Sequence, residues 1–177
     1  MLPVEKTAHE GAGLSVPCVI EREAEHYVAL PAAGPMSNLP EFAPPKFREL
    51  HDLLADMGIA DIGDGFFRYR SFSRQGHAEL EVGNLVKRGI DAAAEIIAGE
   101  IPAGRYAFAT HTGPYDRLHD AFLMLEGWMG GRGLEPEGMY GPEETRPACQ
   151  LEIYRIHPMM EQDPRLWKTD ILVKLAD

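Results

Sequence analysis

The stretch IIAGEIPAGRYAFATHTGPYDRLHDAFLMLEGWMGG, Ile96–Gly131, carries the pattern from which the fold is read. Up to Thr112 the run is extended and kinked at Pro102-Ala103-Gly104. Gly113-Pro114 then stops the strand, and Leu118, Phe122, Leu125 and Met129 fall on one face of a helix that Gly130-Gly131 ends. The residues leading in, GIDAAAEIIAGEIP (89–102), contain alanines and glutamates that favour helix locally. Ile96, Ile97, Gly99 and Pro102 nevertheless predict an irregular strand entering this unit.

Working outward, two more strands follow, QLEIYRI (150–156) and KTDILVKL (168–175), with Pro158 and Pro164 in the loop between them. The same order occurs earlier in the chain. CVIEREAEHYVALPA (18–32) predicts a strand with a polar interruption, and GPMSNLPEFAPP (34–45) a turn-rich link whose prolines exclude a helix interior. Phe47, Leu50, Leu54 and Met57 then share a helical face, with Gly58 placed to end the helix. FFRYRSF (66–72) and AELEVGNLV (78–86) follow as strands joined by the turn SRQGH.

Strand, helix, strand, strand thus occurs twice, and spacing supports a duplication. Tyr27 and Tyr106 each stand seven residues before a Gly-Pro pair, at Gly34 and Gly113, an offset of 79 for both. Tyr69 and Tyr154 repeat at an offset of 85, which requires only a small insertion after the helix. The expected fold class is α+β: tandem, pseudo-twofold βαββ repeats forming antiparallel sheet with two main helices and a central ligand cleft. Met1–Val16 reads as a flexible lead-in, followed by one domain over 17–177, with a first repeat at about 17–90 and a second at about 91–177.

The 177 residues are 45% hydrophobic, which suits one globular domain. A formal net charge of −11 lacks the clustered Lys and Arg of a nucleic-acid footprint and disfavours direct DNA binding. Two cysteines, Cys18 and Cys149, with no CxxC spacing suggest neither a disulfide framework nor zinc and fit a reducing cytoplasm. The N-terminus lacks a signal-peptide core, and no stretch approaches the ~20 apolar residues of a membrane span. No metal, nucleotide or other cofactor is expected, because neither HExxH nor a phosphate-binding glycine motif is present.

PAGRYA, HTGPYD, the helix with Trp128 near its end, GLEP and EIYRIHP together resemble the GyrI-like family, the effector-binding domain also attached to AraC-type and multidrug-sensing regulators. CVIEREAEHYVAL, ELHDLLADMG and LEVGNLV resemble that family's first repeat more loosely, so the resemblance spans about Pro17–Leu175. It implies a duplicated βαββ fold and a hydrophobic pocket for drug-like, often cationic ligands, with a strand glutamate matching Glu152 among aromatic side chains. Some members bind and protect DNA gyrase, and some hydrolyse cyclopropane-bearing toxins. No helix-turn-helix segment of the regulator architecture is expected ahead of the fold.

Strand alternation puts Glu152 and Tyr154 on one face and Leu151, Ile153 and Arg155 on the other. A buried carboxylate costs several kcal/mol unless it is paired, so Glu152 either faces a ligand, faces solvent, or pairs with Arg68, Arg70 or Arg155. Phe67 takes the place in the first repeat that Glu152 takes in the second. The expected binding residues are Glu152, Tyr154, Phe67, Tyr69, Tyr27, Tyr106, Trp128 and Trp167, the last placed to close a cleft. His111 and His119 near Tyr115 and Asp116 suggest an acid–base pair, but Asp116 is better placed as a helix N-cap. The leading expectation is a binding protein for a hydrophobic, cationic small molecule, acting as a sensor or sequestering module. The alternatives are a hydrolase using Glu152 with Tyr154 or Tyr106, and a partner of DNA gyrase or of a regulator.

Overall fold

The computed structural model describes residues 12–91 and 95–177. Its strands are β1 (Gly13–Leu14), β2 (Cys18–Arg22), β3 (Glu25–Pro35), β4 (Ile62–Ser73), β5 (His77–Val86), β6 (Ile97–Ile101), β7 (Gly104–Thr112), β8 (Gly138–Tyr140), β9 (Glu144–Pro147), β10 (Gln150–Ile156) and β11 (Lys168–Lys174). Its helices are α1 (Leu39–Phe42), α2 (Pro45–Asp56) and α3 (Leu118–Gly131).

The strands form one antiparallel sheet whose main path runs β1-β7-β11-β10-β4-β5-β3-β6. Around the central β10–β4 pair the order is mirrored: β3, β4 and β5 on one side correspond to β7, β10 and β11 on the other. Registers agree with this pseudo-twofold. Tyr27 pairs with Leu85 as Tyr106 pairs with Lys174, and Phe67 pairs with Val82 as Glu152 pairs with Ile171. At the seam Glu152 pairs with Phe67 itself, so the axis passes between these two equivalent positions.

The leading strand of each unit crosses to the other. β2 pairs with β7, Ile20 opposite Tyr106, and β6 pairs with β3, Gly99 opposite Tyr27. The polar interruption expected within residues 18–32 is the crossing point between β2 and β3. The strand expected within 89–102 is β6, and it joins the first unit's edge rather than entering the second. Ala92–Ala94 lie outside the described residues.

Each βα junction is a Gly-Pro turn followed by a single 3-10 turn, Met36–Asn38 or Tyr115–Arg117, begun by an extended Pro35 or Pro114. Pro45 then opens α2 at a position where its missing N–H costs nothing, and Gly58 leaves the helix at φ 71°. α2 buries Leu50 and Leu54 with Val28 and Leu30. Met57, expected on that stripe, is exposed because it lies past the helix end. α3 buries Leu118, Ala121, Phe122, Leu125 and Met129 against Ala107, Ala109, Ile171 and Val173, the small residues of β7 letting the helix approach the sheet.

Further features depart from the sequence expectations. Gly13 and Leu14 already pair with Thr112 and His111, so the sheet begins before Pro17; residues 1–11 lie outside the described residues. The proline-rich link contains the four-residue α1, tolerated because Pro40 sits in its first turn. Asp116 is no helix cap: it lies inside the 3-10 turn, and Arg117 precedes α3 without a side-chain cap. The β8–β9 hairpin was not anticipated; β9 extends β4 through Phe72–Thr145.

Gly83 sits at a close approach of neighbouring strands. A Cβ there would lie 2.4 Å from the Val28 carbonyl oxygen, 2.7 Å from the Phe66 ring and 2.8 Å from the Ala29 Cβ. Gly127, on α3, has nothing within 4 Å. Gly83→Ala is expected to lower stability in urea unfolding by about 1–3 kcal/mol, as overpacking does. Gly127→Ala is expected to raise it by about 0.5–1 kcal/mol, the helix-interior gain of alanine over glycine.

Candidate functional site

One face of the central strands, carrying the even positions of β10 and the odd positions of β4, turns towards the helices and opens a cleft of about 2020 Å³. Its floor is the β4–β10 seam, where alternation places Phe67 and Tyr69 beside Glu152 and Tyr154. α2 supplies Phe47 and His51, α3 supplies Phe122, Leu123 and Glu126, and the two 3-10 turns contribute Met36 and Tyr115. Met36 and Tyr115 stand at corresponding positions after the two Gly-Pro pairs, so the pseudo-twofold gives one wall a thioether and the other a phenol.

Glu152 is 5% exposed and makes no ion pair among the described residues. Its Oε1 accepts a hydrogen bond from the Tyr69 hydroxyl at 2.8 Å, and its Oε2 accepts one from the Tyr154 hydroxyl at 2.7 Å. These tyrosines occupy equivalent positions of the two units, so the axis sets one phenol on each side of the carboxylate. Each such bond to a charged group contributes about 1.5–3 kcal/mol, short of the desolvation of a carboxylate. Burial accordingly pushes the Glu152 carboxyl above its usual range, while the Tyr154 and Tyr69 bonds pull it partly back. The same burial, with the Glu152 charge, holds both phenols protonated as donors.

Aromatic rings surround this group. Phe47 stacks on Phe67 with centroids 5.6 Å apart, and Tyr154 meets Phe67 edge-on at 5.3 Å. Gly65, opposite Tyr154 in the sheet, makes room for Phe47: a Cβ there would lie 2.9 Å from the Phe47 ring. Tyr115 packs against Tyr154 at 5.5 Å, and Tyr69 meets Phe122 at 6.4 Å. Beyond Phe47, the Asn84 amide bridges His51 and the Gly63 carbonyl oxygen, fixing a polar end to the cleft.

Of the eight residues expected at the site, the structure brings four together: Glu152, Tyr154, Phe67 and Tyr69. Trp167 stands one layer back, its ring 4.7 Å from Tyr115 and its indole N–H donating to the Glu161 carbonyl oxygen. Trp128 lies at the edge of the α3 core beneath Arg132, away from the cleft. Tyr27 and Tyr106 point to the opposite sheet face, into a cluster with Phe66, Leu151 and Ile153. There the Tyr27 hydroxyl donates to Glu81 at 2.6 Å, and that of Tyr106 donates to the Pro102 carbonyl oxygen. The arginines considered as partners of Glu152 are engaged elsewhere, Arg68 and Arg70 with Glu81 and Arg155 with Asp64 and Asp170. His111 is buried with neither ring nitrogen bonded among the described residues, so it forms no acid–base pair with Asp116. The sequence reading missed Phe47, Tyr115 and Glu126; the signal for the last was its i+4 spacing from Phe122 on the α3 stripe.

No group of three or more potential metal ligands occurs among the described residues, and no helix there is long and apolar enough to cross a membrane.

Two βαββ units sharing a sheet, with an aromatic cleft over their seam, define a class of small-molecule-binding domain. The chain belongs to the GyrI-like family: the model of the GyrI-like small molecule binding domain matches residues 63–176. No curated protein matches the sequence. Among solved structures, the EcmrR C-terminal domain is similar at 16% identity and TM-score 0.68, over 92% of this chain and 98% of that one. Against EcmrR in its DNA complex the identity is 17% and the TM-score 0.69, over 93% of this chain; the chain spans 58% of that protein's length. SAV2435 bound to tetraphenylphosphonium is similar at 8% identity and TM-score 0.57, over 92% of this chain and 94% of that one. A hydrolase from Listeria innocua is similar at 11% identity and TM-score 0.63, over 90% of this chain and 91% of that one.

A raised carboxyl pKa means that the folded state holds the Glu152 proton more tightly than the unfolded chain does. The carboxylate's cost is absent below the unfolded pKa and grows as pH rises towards the folded value. The melting temperature of the ligand-free protein should therefore fall relative to Glu152→Gln as pH rises through that window. A difference between the two proteins that stays constant with pH would show that Glu152 is not desolvated.

Proposed function

We propose that the cleft binds a bulky, hydrophobic organic cation, with Glu152 as its counter-charge, and that the protein senses or sequesters such compounds. The carrying observation is the Glu152 carboxylate, buried among phenyl and phenol rings, held by two hydroxyl donors and paired with no cation among the described residues. A lipophilic cation offers what that environment lacks. It gives up little hydration on entering, meets the carboxylate without a hydrogen-bond geometry to satisfy, and gains about 0.5–2 kcal/mol from each well-placed aromatic face. The tetraphenylphosphonium bound by SAV2435 is an occupant of this chemistry. The cleft also exceeds the roughly 300–1,000 Å³ of an ordinary drug-sized pocket, in keeping with a bulky ligand.

Tetraphenylphosphonium binding is measured by isothermal titration calorimetry. Glu152→Gln, nearly isosteric and uncharged, is expected to weaken affinity at least about tenfold, the effect of removing one partner of a desolvated charge pair. Wild-type affinity should rise with pH as Glu152 deprotonates and level off above its pKa, whereas that of Glu152→Gln should stay flat. Equal affinities for the two proteins at high pH would contradict the role given to Glu152.

One observation favours a second, hydrolytic reading: burial pushes the same carboxyl upward, the direction a general base needs, and it accepts a hydrogen bond from the Tyr154 hydroxyl. Tyr106 takes no part, being on the other sheet face. Mass spectrometry after incubation with a cyclopropane-bearing electrophile separates the readings. Hydrolysed product that disappears in Glu152→Gln supports catalysis, and full recovery of the intact compound excludes it for that substrate.

A further inference from the structure

The α3 stripe facing the cleft runs His119, Phe122, Leu123, Glu126 and Gly130, at the three- and four-residue spacing of one helical face. Glu126 is therefore a second carboxylate of the same cavity, at its mouth rather than on its floor. It has no ion-pair or hydrogen-bond partner among the described residues. Tyr140 of β8 lines the same cleft and is an exposed aromatic, 48% accessible. Glu126 and Tyr140 thus add a carboxylate and a phenol to the lining, in a wetter setting than the floor.

The two carboxylates are joined by a continuous aromatic wall. Tyr69 donates to Glu152 at 2.8 Å, and its ring meets Phe122 at 6.4 Å. Glu126 lies one helical turn beyond Phe122, which sets the charges roughly 10–15 Å apart across the cleft. The other acidic groups on the lining are placed differently. Asp64 is taken by Arg155, and Asp116 is exposed on the 3-10 turn before α3, off the helical stripe. Burial raises the Glu126 carboxyl despite its open position, with nearby His119 opposing the shift, and the Glu126 charge adds to burial in raising Tyr140 to about 12. Both directions agree with a group screened by the cleft wall and lying close to the phenol.

We propose that Glu126 and Tyr140 form a second cation subsite, so that the preferred ligands are elongated dications, one head against Glu152 and the other at the mouth. This rests on the cation-binding role of Glu152 and adds a length and charge requirement to it. A cleft of about 2020 Å³ has room for both heads, whereas a single compact cation leaves the outer part to water.

The test compares tetraphenylphosphonium with a series of bis(triphenylphosphonium)alkanes of increasing linker length, by calorimetry at low salt. One linker length should bind about five- to tenfold tighter than its single-headed alkyl counterpart at one-to-one stoichiometry, as a partly screened charge contact with one aromatic face gives. Glu126→Gln should abolish that preference, bringing the dication's affinity down to that of its single-headed alkyl counterpart. Asp120→Asn, on α3 but off the cleft, should leave the preference intact, which separates a local contact from the general attraction of an acidic protein. If tetraphenylphosphonium binds in a Glu152-dependent way but the dication preference is missing, or survives in Glu126→Gln, the second subsite is overturned and the first reading stands. If no single-headed cation binds, both fall together.

Discussion

The structure is organised around one buried carboxyl, without a cationic partner among the described residues, at the seam of two similar halves. A duplicated fold places equivalent residues on either side of its axis, and Glu152 and Phe67 are such a pair, facing each other across β10 and β4. Two carboxylates at that seam would repel in a low dielectric, and two phenylalanines would leave the flanking phenols without an acceptor. One glutamate opposite one phenylalanine lets the symmetric tyrosines, Tyr69 and Tyr154, each donate to a separate oxygen of the same carboxylate. Duplication supplies the clamp, and a single asymmetric residue supplies the charge.

The remainder of the fold keeps that charge dry and unneutralised. The exchange of β2 and β6 between units ties the two halves into one sheet, so the seam is not a hinge between independent lobes. Arginines that could reach the sheet's centre are drawn to its other face and its ends, where Glu81, Asp64 and Asp170 hold them. The Gly-Pro turns set the helices over the same face, and Gly65 lets Phe47 close over Phe67. The polarity of the cleft floor is thus set as much by where Arg68, Arg70 and Arg155 are engaged as by where the carboxylate is placed.

Much of this was legible in the chain, and the limits follow from what periodicity can carry. The repeated order and the spacings of Tyr27 with Tyr106 and Tyr69 with Tyr154 encode the duplication, because equivalent strands keep equivalent registers. Alternation within one strand showed that Glu152 and Tyr154 share a face, and the Phe67 equivalence brought in the opposite strand. It does not say which face of β3 or β7 lies under the helices, and Tyr27 and Tyr106, expected in the cleft, fill the opposite core with Phe66 and Leu151. A residue just off a helix stripe, as Trp128 is, can lean to either side, and here it packs at the margin of the α3 core. The exchange of β2 and β6 has no local signature at all, since only long-range pairing decides which edge a short strand completes.

The central claim is that Glu152 is a desolvated carboxylate awaiting a cation, and its own titration tests this most directly. Carbon-detected NMR of the Glu152 carboxyl, assigned by comparison with Glu152→Gln, gives its pKa with and without tetraphenylphosphonium. The account predicts a value above the ordinary glutamate range in the free protein and a clear downward shift when the cation binds. An ordinary value in the free protein, or one that the cation leaves unmoved, would contradict it.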